Sequence, residues 1–194
     1  RPATDDKVLA GWNGLAISGL VAAWRATGHA PALALAVRVA GFLRDRMIDG
    51  DRLARVFHAG AVKLDGTLDD YAFVARALLE LAEATGDGAW WALGARLGGA
   101  LRARFVDTVD GVVVFYLAPP GDAVLIHRPE SHEDGATPAG AAIAVQALLR
   151  LGLVAGDRDA LALAETYLVQ RLGGAPGTGQ GWANAGLLAA LDLY

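Results

Sequence analysis

The sequence predicts an all-α fold of helical hairpins set side by side, with an α/α toroid favoured over an open solenoid. Three observations carry this. First, one unit recurs three times: a polar start, a small-residue helix, a short break and a second helix. The breaks read "RATGHAPALALA", "EATGDGAWWALG" and "LVAGDRDALALA", and Gly28, Gly86 and Gly156 stand where a helix C-cap favours a left-handed residue. Second, the first member of each pair holds long apolar stretches ("AFVARALLELA", "GAAIAVQALLRLGL"), whereas the second carries spaced arginines ("ALAVRVAGFLRDRM", "LGARLGGALRARF"). A helix contacted on nearly all sides is apolar nearly all round, so the first members form an inner layer and the second an outer one. Third, turns within a pair are short but the passages at 48–67 and 107–136 are long. Each hairpin returns the chain to its starting side, so the long passages emerge at one end, where function concentrates.

In order, the inner helices are expected at about 11–27, 68–85 and 137–154 and the outer ones at about 31–47, 89–106 and 158–172. "GWANAGLLAALDLY", about 181–193, reads as the inner member of a fourth pair without its outer partner. In "DGVVVFYLAPPGDAVLIHRP" two β-rich runs flank Pro119, Pro120 and Gly121, which predicts a small β-hairpin over the rim. The whole of 1–194 then reads as one partial toroid domain. Its start at Arg1 without methionine suggests a piece of something longer.

Composition narrows the function classes. With 54% hydrophobic residues the 194-residue chain has ample material for one core. The 17 basic and 21 acidic residues are scattered, without the basic face that nucleic acid requires. Absence of cysteine removes disulfide and thiolate chemistry and is compatible with the cytoplasm. "VLAGWNGLAISGLVAAW" is interrupted by Asn13, Ser18 and three glycines, so it reads as a buried helix rather than a membrane span. No signal peptide opens the sequence. No HExxH, CxxC, GxGxxG, Walker loop or GxSxG appears, which leaves no cofactor or metal site expected.

Three polar clusters stand at the inner-helix starts: "TDDKVLAGWNG", "TLDDYAF" and "RPESHEDGATPAG". They should converge on one end of the bundle. Asp69 or Asp70 can cap the second inner helix, but two acids exceed what a cap needs. Thr137 with Pro138 makes an N-cap and first-turn pair, leaving Asp134 over. Lys7 can neutralise Asp5 or Asp6, and Trp12 is read equally as core or as a binding surface. His58, His127 and His132 lie in the long passages and suit proton transfer, while His29 occupies a turn at the opposite end and is assigned to the surface.

The motifs "DDKVLAGWNGLAISGL", "LDDYAFVARALLELAEATGD" and "DGATPAGAAIAVQALLRL" resemble, in order and spacing, the C-terminal region of the DUF255 or YyaL-like family of thioredoxin-domain-containing proteins related to spermatogenesis-associated protein. The resemblance covers nearly the whole chain. It implies a thioredoxin-like domain elsewhere in the full-length protein and a toroid of the six-hairpin glycosidase type, akin to N-acylglucosamine 2-epimerases, of which this chain is the later half. The matched positions are Asp5, Asp6, Lys7, Trp12, Asn13, Asp69, Asp70, Tyr71, Arg128, Asp134, Gly135, Thr137 and Pro138. Ala139 stands where many members have serine, which counts against a serine-dependent role there.

The resulting expectation is a carbohydrate-active or carbohydrate-binding domain whose ligand is a small-molecule sugar. For a hydrolase, Asp70 and Asp134 are the expected carboxyl pair, with Asp6 beside them and with Tyr71, Trp12, Asn13, Lys7, Asp69 and Arg128 contributing to binding. For an epimerase-like reaction, His58 or His132 would move the proton. The alternative is a non-catalytic interaction module attached to the redox domain, using the rim around Pro119. A half toroid also exposes inner-layer surface at its two edges, so self-association is expected.

Overall fold

The computed structural model describes residues 5–121, 126–173 and 184–194. Three hairpins follow one another, each reversing at a glycine. α1 (Ala10–Thr27) and α2 (Ala30–Arg46) turn at Gly28, with φ 70° and its N–H donating to Trp24 O at 2.8 Å. α3 (Leu68–Thr85) and α4 (Gly88–Phe105) turn at Gly86, and α5 (Gly140–Ala155) and α6 (Arg158–Leu172) at Gly156, both again with positive φ. Side-chain caps restart two of the return helices: Asp87 accepts from Ala89 N–H at 2.9 Å and Asp157 from Ala160 N–H at 3.0 Å. A fourth inner helix, α7 (Ala185–Leu191), follows; residues 181–183 of the helix expected there lie outside the described residues.

The inner helices α1, α3, α5 and α7 pack side by side, and α2, α4 and α6 lie behind α1, α3 and α5. Burial explains the two sequence textures. Every residue of α5 from Gly140 to Gly152 is buried, as its continuous apolar run requires. By contrast α2 buries a single stripe, Ala32, Ala36, Ala40 and Leu43, with its charges on the remaining surface. Close approach depends on missing side chains: a Cβ on Gly14 would lie 2.7 Å from the Phe73 backbone, and one on Gly152 would lie 2.6 Å from Leu161 Cβ.

Three expectations need correction. The third inner helix starts at Gly140, not at 137, and its N-cap is Ala139 rather than Thr137. The physical reason is that Asp134 Oδ1 accepts the Ala139 N–H at 2.7 Å, so the chain bends through 134–139 before the helix can begin. The rim hairpin pairs β5 (Val106–Val109) with β6 (Val112–Phe115), turning at Asp110 and Gly111 rather than at Pro119 to Gly121. Asp110 and Gly111 both have positive φ (50° and 79°), the requirement of a tight two-residue hairpin turn that Asp-Gly meets. Finally, the passage 48–67 is not loop. It holds β2 (Ile48–Asp49), β3 (Arg52–His58) and β4 (Ala61–Asp65), and β3 also pairs with β1 (Val8–Leu9) in the register Val8 opposite Phe57. This ribbon ties the start of α1 to the start of α3.

Candidate active site

The starts of α1, α3, α5 and α7 meet at one end, and carboxylates join them pairwise. Asp70 is the first joint. Its Oδ2 accepts from Thr67 N–H and Thr67 Oγ, each at 3.0 Å, closing a capping box on α3. Its Oδ1 reaches the neighbouring helix and accepts the Gly11 N–H at 3.0 Å. Arg55 from β3 lies 3.5 Å from Oδ2. Asp70 is only 5% exposed, so this carboxylate joins two helix starts and presents no face to a ligand.

Asp134 is the equivalent joint between α5 and α7, accepting from Ala139 N–H at 2.7 Å and Gly186 N–H at 2.8 Å. It is half-buried. Unlike Asp70, it keeps part of its surface open to solvent.

Asp69 sits between α3 and α5. Its Oδ1 accepts from Ser131 Oγ at 3.0 Å, and that hydroxyl in turn accepts the Gly140 N–H at 3.1 Å. The carboxyl lies so close over Gly140 that no Cβ fits there. Burial, helped by the charge of Asp70, pushes the Asp69 carboxyl above the ordinary carboxylate range, and Ser131, Arg55 and the Gly140 amide oppose this only in part. Its Oδ2 makes no hydrogen bond among the described residues. Of the three acids, Asp69 combines partial exposure, an uncommitted oxygen and a bias toward the protonated form. Nothing local in the sequence marks Ser131; its role appears only with the contact to Asp69 across 62 residues.

The other expected residues divide. Trp12, 66% exposed, stands at the first turn of α1 with its indole available. Asp6 is also exposed and pairs with His58 Nε2 at 3.0 Å, joining the approach to α1 with the tip of β3. Lys7 pairs with Asp5 at 2.9 Å, not with Asp6. His132, next to Ser131, has Glu130 at 3.4 Å from Nδ1 and Glu133 at 3.9 Å from Nε2. His127 and His29 are exposed.

Three residues do not join the mouth. Tyr71 is 1% exposed; its hydroxyl accepts from Leu53 N–H at 3.0 Å and donates to Asp51 O at 3.2 Å, and its ring tilts against Phe105. It anchors the ribbon to α3. Asn13 donates to Leu9 O at 2.8 Å and faces Arg38, Val39 and Phe42 on the outer side of α1. Arg128 clamps its own loop, pairing with Asp107 at 2.7 Å, donating to Ala118 O at 3.1 Å and stacking 3.9 Å over the Tyr116 ring. Among the described residues no cluster of three or more acids and histidines is arranged to hold a metal, and no helix is long and apolar enough to cross a membrane.

No protein-family model matches the chain, so the DUF255 likeness rests on its motifs. Spermatogenesis-associated protein 20 of Rattus norvegicus is 36% identical over 167 residues, 80% of this chain and 21% of that protein. Among solved structures, a GH76 α-mannanase of Bacteroides thetaiotaomicron matches with TM-score 0.74 at 15% identity, covering 99% of this chain and 53% of the mannanase. The cellobiose 2-epimerase of Spirochaeta thermophila matches with TM-score 0.65 at 16% identity, over 86% of this chain and 44% of the enzyme. At such identities the structural likeness speaks for fold alone. The chain spans 21% of the length of the curated relative, which it matches over 80% of its own residues. The chain has a mostly helical fold that resembles these α/α toroids, and it is similar in sequence to spermatogenesis-associated protein 20 of Rattus norvegicus and Homo sapiens.

Proposed function

We propose that the inner-helix mouth is a carbohydrate site and that Asp69 is its proton donor, in a glycoside hydrolase or an epimerase-like sugar enzyme. The observation that carries this reading is the division of labour among the acids. Asp70 is consumed by two helix starts, whereas Asp69 has one oxygen without a hydrogen bond among the described residues and holds its proton more tightly than an ordinary carboxyl. In a hydrolytic reaction Asp69 protonates the leaving oxygen while Asp134 accepts a proton from water, and the sugar stacks on the Trp12 indole. The mannanase and epimerase toroids act on sugars by their names, and they support this choice of substrate class.

The test is turnover of a panel of aryl glycosides and reducing disaccharides. Asp69→Asn should lower turnover about 10²–10⁴-fold with thermal stability preserved. Full turnover by Asp69→Asn would remove the assignment. The second reading is a non-catalytic module partnering a thioredoxin-like domain in a longer, cytoplasmic protein. It draws on the fact that Asp70 and Asp134 both serve helix starts, and it is favoured if the parent chain turns over nothing yet binds that domain.

A further inference from the structure

A second cluster of charge lies deeper in the inner layer. Asp69, Arg76, Glu80 and Glu83 share one face of α3, since steps of seven, eleven and fourteen residues return to nearly the same angle. Around this stripe Arg25 of α1 donates to Glu83 at 2.8 Å, Arg150 of α5 donates to Glu80 at 3.2 Å, and Arg76 donates to Gln146 at 2.9 Å. Among the described residues three guanidiniums therefore share two carboxylates, one positive charge more than negative. Donors without a hydrogen-bond partner among the described residues lie on Arg150, at Nη1, and on Arg76. Arg76 Nε has no hydrogen-bond partner among the described residues, with Glu80 3.7 Å away, and the side chain is 14% exposed. Ser18 Oγ on α1 is likewise unpartnered, in a residue only 9% exposed. Both residues line a cleft of about 680 Å³ between α1 and α3, bounded also by Gly19, Ala22, Arg25 and Glu80.

We propose that this cleft binds a carboxylate, and that the carboxylate belongs to a uronic acid unit of the sugar whose other end lies at the mouth. A planar carboxylate matches the guanidinium fork and accepts from a hydroxyl at its side, and it supplies the missing negative charge. A neutral sugar hydroxyl supplies none. Burial pushes the Arg76 guanidinium below its ordinary value, Arg150 adds to this and Glu80 opposes it only in part, so a further bound anion is favourable there. Position fits the bearer. Arg76 lies seven residues beyond Asp69 on the same face, about 10 Å along the helix, a span that a disaccharide bridges. The carboxylate cleft stands on the charge cluster; that its ligand is a sugar rests on the function proposed above.

The experiment is calorimetric titration of the 194-residue chain with D-glucuronate, D-glucose and propionate. Glucuronate is expected to bind at least tenfold more tightly than either of the others, and more weakly as salt is raised. Gly19→Leu should abolish this binding with an unchanged circular dichroism spectrum, because a Cβ added at Gly19 meets nothing within 4 Å and the side chain enters the cleft. Arg76→Met should abolish it as well. Val169→Thr, on the exposed side of the outer helix α6, should leave it intact, and the mouth is read separately by turnover, so the two readings fail separately. Equal binding of glucose, equal binding of propionate, absence of glucuronate binding, or binding indifferent to Gly19→Leu would each overturn the proposal.

Discussion

Replacing Asp70 by alanine should destabilise the chain strongly while telling little about substrate. The substitution removes the bonds from Thr67 N–H, Thr67 Oγ and Gly11 N–H, all at 3.0 Å. Loss of a helix cap costs about 1 kcal/mol. The Gly11 amide is left buried without a partner, which costs about 1–3 kcal/mol. Together these give about 3 kcal/mol, and for a chain of this size each kcal/mol lowers Tm by about 2–4 °C, so a fall of about 6–12 °C is expected. Asp70→Asn keeps the shape but turns an amide group toward one of the donors, and should fall between alanine and the parent. Thermal and urea unfolding followed by circular dichroism measure the loss, with turnover measured on the same samples below the transition. A Tm unchanged to within about 2 °C, or turnover lost from a variant of parental stability, would refute the reasoning and return Asp70 to the reacting atoms.

Two glycines of α1 should respond oppositely to alanine. Gly14→Ala forces a Cβ to 2.7 Å from the Phe73 backbone and should cost about 1–3 kcal/mol, whereas Gly19→Ala meets open space and should stabilise by about 0.8–1 kcal/mol; denaturant midpoints read both. Because Asp69 binds its proton more tightly folded than unfolded, its contribution to stability falls as pH rises from the ordinary carboxylate value through the raised one. Asp69→Asn should flatten the part of the stability profile that lies just above the ordinary carboxylate value, measured by urea unfolding. Tyr167 is pushed up to about 12 by burial, so it should be among the last tyrosines to ionise in an ultraviolet titration. Its stabilising effect is present below the ordinary tyrosine value and lost as pH climbs through the raised one. Exposed Leu188, Leu191 and Tyr194 on the last edge should make the isolated chain self-associate in light scattering, and Leu188→Glu should reduce it.

What the sequence reveals follows the range of the interactions. The three hairpin turns are local events, a glycine with positive φ followed by a restart, and they stand where the motifs place them. The ribbon of β3 and β4 escapes because β4 is exposed throughout, so no buried face marks it, and its turn, Ala59–Gly60, resembles no strong hairpin signal. The rim hairpin is legible in Asp110–Gly111, but the neighbouring prolines draw the eye first. At the mouth, adjacency conceals the division between Asp69 and Asp70. Successive helical residues point about 100° apart, and which one is buried depends on Gly11, a partner 59 residues away. Tyr71 shows the same effect. It follows two acids in the motif, yet it falls on the helical face with Leu68, Ala75 and Leu78, all buried, which directs its ring into the core.

The most direct measurement is a carbon-13 NMR titration of aspartate-labelled protein, with Asp69→Asn supplying the assignment. The account requires one carboxyl resonance that titrates above the ordinary aspartate range and vanishes in that variant. If every aspartate titrates at or below the ordinary range, or if the elevated signal survives Asp69→Asn, the mouth has no proton donor of the kind described.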